Sequence, residues 1–153
     1  MAENAELTVD SFIQSTVAFY EKATGESPKI EKIDSVDNEP QLQQYTGITG
    51  IGGAYRGAIY VSCEREMLVD LFAAMYPGVP IEEALILDQV GELANNLAGM
   101  AQESFTDAFE ISCPIVVQNG QGADLFILRK PVHTFRLAWR AHTAFLGLGI
   151  GQA

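Results

Sequence analysis

Positive charge is scarce in this chain. Nine Lys and Arg residues stand against 20 Asp and Glu, giving a formal net charge of −11. Nucleic-acid binding needs Lys/Arg clusters to meet phosphates. The densest basic stretch here is Arg129-Lys130, with Arg136 and Arg140 further on. The sequence therefore argues against a nucleic-acid partner, and against anionic membrane surfaces for the same reason. A protein partner with a basic patch suits this charge. Cysteine is also sparse: Cys63 and Cys113 form no CxxC, and His133 and His142 lie far from both. No metal-site spacing results, and the two thiols read as reduced residues in strands. No apolar run approaches the length of about 18 residues that a membrane-spanning helix requires. The start, Met1-Ala2-Glu3-Asn4-Ala5-Glu6-Leu7, lacks the basic segment and apolar core of a secretory signal. A cytoplasmic location is the expectation. Catalytic serine signatures are missing too, because Ser62, Ser104 and Ser112 sit in no G-x-S-x-G elbow. His133 and His142 have no acid partner close by in sequence, and Trp139 reads as a sheet-packing residue.

What is present is a large apolar fraction, 48% of 153 residues, enough for the core of one domain spanning 1–153. Residues 1–7 read as frayed. Thr8 or Asp10 can cap a helix running to about Thr24, with Phe12, Ile13, Thr16, Val17, Phe19, Tyr20 and Ala23 on one face. Gly25 then stands where a helix C-cap glycine is expected. Residues 26–41 read as loop with a short strand at Lys29–Ile33. Leu42–Ile51 and Ala54–Ser62 form a hairpin around Gly52-Gly53, with Gly47 and Gly50 weakening the first strand. A helix covers about Glu64–Met75, and Tyr76-Pro77-Gly78-Val79-Pro80 stops it. A longer helix follows, from about Ile81 to Phe109. Strands are expected at Ile111–Gln118, preceded or broken by Pro114, at Leu125–Leu128 and at Val132–Ala141, with a turn at Asn119-Gly120-Gln121-Gly122. The tail, Thr143–Ile150, alternates Ala144, Leu146, Leu148 and Ile150 with smaller residues. Helix-strand-strand units recur as a faint two-fold repeat. The expected class is α+β, a largely antiparallel sheet layered with long helices.

The segment Leu87–Met100, LDQVGELANNLAGM, carries the chemistry. It keeps two adjacent asparagines and two glycines inside a helical pattern. Asn costs some tenths of a kcal/mol relative to Ala in a helix interior, and Gly about 1 kcal/mol. Positions three and four apart share a helix face, so Asp88, Glu92, Asn95, Gly99, Gln102 and Thr106 fall along one stripe, bordered by Asn96 and Glu103. Ile86, Val90, Leu93, Ala94, Leu97 and Ala101 form the opposite, core-facing stripe. A solvated face explains any one of these polar residues, but Asn-Asn-x-x-Gly does nothing useful for such a face. Gly99 leaves a notch where another chain could approach. Glu92 can pair with an incoming Lys. Asn95 does not titrate near neutral pH, so it is neither nucleophile nor general base, but its amide can hold and aim a water. The stripe has no cation to stabilise a phosphoryl transition state. In phosphoryl chemistry the partner would have to bring the positive charge.

Glu92-Leu93-Ala94-Asn95 matches the ExxN signature of the CheC/CheX/FliY chemotaxis phosphatases, with Asp88 four residues before Glu92. Gly91 and Ala98-Gly99 fit the CheX-type version. Thr46-Gly47-Ile48-Thr49-Gly50, Arg56-Gly57-Ala58-Ile59-Tyr60 and Pro114-Ile115-Val116-Val117 resemble it too, so the likeness spans roughly residues 10–140. The single ExxN motif favours the CheX type over the two-site CheC type. The resemblance implies dephosphorylation of the phospho-aspartate of a CheY-like response regulator. Glu92 would dock on the regulator's Lys and Asn95 would orient the attacking water. Asp88, Asn96 and Gly99 would contact the partner. The regulator would supply Mg²⁺, and this chain would bind no cofactor itself. CheX-type proteins tend to form homodimers through their sheets, and the apolar tail is a candidate for that contact.

Two other readings compete. The same face could recognise a receiver domain or signalling assembly without catalysis, because a fold does not guarantee an activity. Alternatively, Asp88 and Glu92, one helical turn apart, could act as paired carboxylates of a hydrolase, as in glycoside cleavage. No aromatic sugar platform borders them in sequence.

Overall fold

The computed structural model describes residues 2–33, 42–103, 109–119 and 132–152. Among the described residues, three helices, α1 (Ala2–Thr24), α2 (Arg65–Met75) and α3 (Glu83–Glu103), accompany seven strands. The strands are β1 (Lys29–Ile33), β2 (Tyr45–Gly53), β3 (Tyr55–Cys63), β4 (Phe109–Ile111), β5 (Ile115–Gln118), β6 (His133–Trp139) and β7 (His142–Gln152). They form one sheet in the order β1-β6-β7-β3-β2-β4, with β5 also on β2, and each pairing is antiparallel. The fold is α+β.

The order is symmetric about the β7–β3 pair. Hairpins β2–β3 and β6–β7 lie side by side. Each half lends a strand to the other: β1 flanks β6, while β4 and β5 flank β2. The faint repeat read from the sequence is thus a repeat with exchanged edge strands.

All three helices cover one face. Alternation along the strands sends Tyr45, Ile51, Ile59, Val61, Phe135, Leu137, Ala144, Leu146 and Leu148 into a single core with Phe12, Tyr20, Leu68, Leu71, Val90, Leu93 and Leu97. The opposite face holds a smaller cluster of Ile48, Ala58, Tyr60 and Val132. Gly147 lies beneath Tyr60, and a Cβ there would fall 1.8 Å from a ring carbon.

Several boundaries differ from the sequence reading. The first helix begins at Ala2, ahead of the Thr8 and Asp10 caps expected for it. It ends as expected, with Gly25 at φ 79° donating its N–H to the Glu21 carbonyl. The long helix does not reach Phe109, which pairs with Gly53 in β4. The strand expected over 111–118 is broken at Pro114, one of the two placements expected for that residue: β4 ends at Ile111 and β5 begins at Ile115. The strand expected to run to Ala141 turns at Arg140, where φ is 54°. That left-handed conformation is uncommon for a non-glycine residue. It is held by the guanidinium, which stacks 4.4 Å above Trp139 and pairs with Glu26 at 3.1 Å. The apolar tail is a strand. It forms β7, hydrogen-bonded on both edges, with Ala144, Leu146 and Leu148 buried in the core. The strand expected at Leu125–Leu128, most of the turn after Asn119, and Thr106 lie outside the described residues.

Candidate functional site

The site helix rests directly on the sheet. A Cβ on Gly47 of β2 would lie 2.3 Å from the Val90 carbonyl oxygen and 3.2 Å from the Ala94 Cβ. Gly47 therefore does not merely weaken its strand. It lets the α3 backbone lie on β2, and the buried alanines Ala94, Ala98 and Ala101 keep that approach close. Gly91 is explained in the same way. A Cβ there would meet the Val116 side chain at 2.9 Å and the Pro114 ring at 3.5 Å, so β5 closes against the helix flank.

Both ends of α3 are tied down. At the start, the Arg65 guanidinium donates to the Glu83 carboxylate. That hydrogen bond holds the Glu83 carboxyl below the usual carboxylate range and raises Arg65. In the second turn, buried Gln89 donates its amide to the Met75 sulfur at 3.3 Å, joining α3 to the end of α2. At the last turn, the Gln102 amide donates to the Phe109 carbonyl. Gln102, placed on the functional stripe by spacing, is thus a half-buried tether to β4.

The remaining stripe faces outward. Asp88, Glu92, Asn95 and Asn96 are exposed, and Gly99 is half-buried. A Cβ on Gly99 would meet nothing within 4 Å, so the notch is open space. Two shallow clefts lie along the flank of the stripe that faces α2 and α1, one toward each end of α3. One, of about 220 Å³, is lined by Phe72, Tyr76, Val79 and Leu85 together with Asp88, Gln89 and Glu92. The other, of about 520 Å³, is lined by Phe19, Lys22, Ala23, Met75 and Met100 together with Asn96 and Glu103.

Sequence spacing missed two features of these walls. Phe72 and Tyr76 come from α2 and its end, so aromatic rings do border the carboxylates. Lys22 comes from α1 and puts a cation on the Asn96 side. The only hint in sequence was a Pro-bracketed turn holding Tyr76 and Val79. The aromatic wall does not rescue the glycosidase reading. Asp88 and Glu92 leave one helix face side by side, whereas that chemistry needs carboxyls on opposite sides of the scissile bond. Among the described residues, no three His, Cys, Asp or Glu side chains converge as a metal site requires. No helix among them is long and apolar enough to cross a membrane.

The stripe itself is an open, outward-facing surface. It offers one carboxylate and one carboxamide, three residues apart on a fixed convex helix, to something large enough to come to them.

The family model described as "Chemotaxis phosphatase CheX" matches residues 45–133, which include the hairpin and all of α3. No curated protein matches the chain. Among solved structures, the chemotaxis protein CheX from Vibrio vulnificus is similar, with TM-score 0.77 and 20% identity, covering 94% of this chain and 99% of that one. A chemotactic CheC-like protein from Shewanella oneidensis gives TM-score 0.76 and 20% identity over 95% and 98%. A CheX from Borrelia burgdorferi, solved as a CheX–CheY–BeF3–Mg²⁺ complex, gives TM-score 0.70 and 13% identity over 94% and 97%. With more than half its length matched by the family model and its whole fold shared with these structures, the chain belongs to the CheX family of chemotaxis phosphatases.

Proposed function

We propose that this chain dephosphorylates the phospho-aspartate of a CheY-like response regulator. The observation that supports it is the outward presentation of Glu92 and Asn95 on a helix locked against the sheet through Gly47 and Gly91. Glu92 pairs with a Lys of the regulator and fixes the register of docking. Asn95 enters the regulator's site and holds a water in line with the phosphorus. The water oxygen bonds to phosphorus, the P–O bond to the aspartate breaks, and the carboxylate leaves as inorganic phosphate forms. Asn95 contributes placement and no proton transfer, in keeping with catalysis that is mostly positional in phosphoryl transfer. Mg²⁺ belongs to the regulator. Asp88, Asn96 and Gly99 border the contact. The complex of the Borrelia burgdorferi relative with CheY is in keeping with such a partner. A homodimer working in the cytoplasm completes the reading, and light scattering that returns a monomer mass would remove the dimer from it.

The test is phosphate release from phosphorylated regulators of the same organism, with wild type and Asn95→Ala compared. We expect Asn95→Ala to lose about 100-fold or more in turnover while keeping its melting temperature. Turnover at the wild-type rate would overturn the assignment. Regulator binding without accelerated phosphate loss by the wild type would instead mark a noncatalytic recognition module.

A further inference from the structure

Four large hydrophobic side chains are exposed among the described residues, and three of them sit in one short turn. Tyr76 is 40% exposed, Val79 47% and Ile81 40%, while the fourth, Ile115, lies on β5. Single exposed apolar residues are ordinary, but a cluster beside a functional helix marks a contact surface. This turn joins α2 to α3 and forms one wall of the smaller cleft, whose other wall carries Asp88 and Glu92.

The turn is preformed. Tyr76 donates its N–H to the Phe72 carbonyl at 2.8 Å, and Val79 donates to the Tyr76 carbonyl at 3.2 Å. The Tyr76 ring packs against Phe72 with centroids 5.0 Å apart. Gly78 takes φ 81° between Pro77 and Pro80. A partner would meet this wall without ordering it first, which removes a cost of binding. Gln89, only 2% exposed, also lines the cleft. Its amide nitrogen is held on the Met75 sulfur, which fixes this inner edge of the cleft.

We propose that the α2–α3 turn is the specificity arm of the docking surface. Its cleft receives an apolar side chain of the response regulator that stands beside a basic residue. The apolar part packs on Val79, Tyr76 and Leu85, and the cation meets Asp88 on the rim. This rests on the phosphatase reading above and deepens it, because the cleft shares Glu92 with the site and therefore lies under the same docked partner. The cleft reaches along α3 only to Glu92, one helical turn short of Asn95, so the arm touches no reacting atom. It acts on which regulator binds, with no part in how fast bound phosphate is lost.

The experiment measures kcat and KM of the full chain on CheY-type receiver domains phosphorylated with acetyl phosphate, for wild type, Val79→Asp, Tyr76→Ser and Asn95→Ala. Val79 is exposed, so its replacement leaves folding intact, which a thermal melt verifies. We expect Val79→Asp and Tyr76→Ser to raise KM about tenfold with kcat unchanged, and Asn95→Ala to lose kcat. KM within twofold of wild type in both arm variants, or a loss confined to kcat, would overturn the arm while a dead Asn95→Ala left the phosphatase reading standing. Wild-type turnover by Asn95→Ala would overturn the reading itself, and the arm with it.

Discussion

Helices α1 and α3 are counterparts in the two halves of the fold and cover the same face of the sheet, yet they are seated differently. Helix α1 stands on aromatic side chains: Phe12 meets Phe135 at 5.9 Å between ring centroids, and Tyr20 meets Trp139 at 5.7 Å. Helix α3 lies on backbone, through Gly47 beneath Val90 and Gly91 beside Pro114 and Val116. A helix raised on rings can adjust by rotamer changes. One lying on a strand can shift only by moving main chain, and close-packed interiors resist that. The difference teaches why the outward groups suited to placement chemistry ride on α3. Positional catalysis needs a support that does not give.

Substitutions at the seats would break or sharpen this contrast. The largest effect belongs to Gly47→Ala, because its new methyl group would meet the Val90 carbonyl and neither backbone can yield cheaply. We expect a loss of about 3 kcal/mol in urea unfolding, accompanied by reduced activity. A loss below about 1 kcal/mol would mean that α3 is not seated as described. Gly99→Ala comes next and runs the other way. Nothing lies within 4 Å of the added methyl, so helix propensity predicts a gain of about 0.5–1 kcal/mol. If the notch gives clearance to a docked regulator, KM for that regulator rises several-fold in the same protein. An unchanged KM would show that the notch is idle. The smallest effect belongs to the aromatic seat. The Tyr20 hydroxyl is buried without a partner among the described residues, and desolvation raises its pKa well above the usual tyrosine value, as burial pushes the neighbouring Cys63 thiol up to about 12. Tyr20→Phe removes a polar atom that gains nothing from the fold. Stability measured by the same unfolding should stay level or rise by up to about 1 kcal/mol, whereas a clear loss would reveal a partner for the hydroxyl.

The sequence disclosed most where structure is set by neighbours close in the chain. Strand β1, helix α2, the end of α1 at Gly25 and the outward stripe of α3 all follow from spacing over a few residues. It disclosed least where distant segments meet. Gly47 looked like a defect in a strand until Val90 lay above it. Gly91 had no role until Pro114 and Val116 closed on it. The end of α3 was misplaced because Phe109 continues the apolar rhythm of the helix, yet β2 captures it as a strand partner. The aromatic wall of the site was invisible for the same reason: Phe72 and Tyr76 are far from Glu92 in sequence and adjacent to it only after α2 folds back.

The central placement of β7 bears on how the protein is made. Strands β3 and β6 lie on either side of it and have no hydrogen bonds to each other. On the ribosome, each of these strands emerges with an unpaired edge and keeps it until residues 142–152 have left the exit tunnel. For β6 the wait is short, since β7 follows it in a tight hairpin, but β3 must pair across about 80 residues, which is slow, and an open strand edge invites aggregation while it waits. The sheet therefore completes in a late step, and that interval is when a chaperone would matter most to this chain.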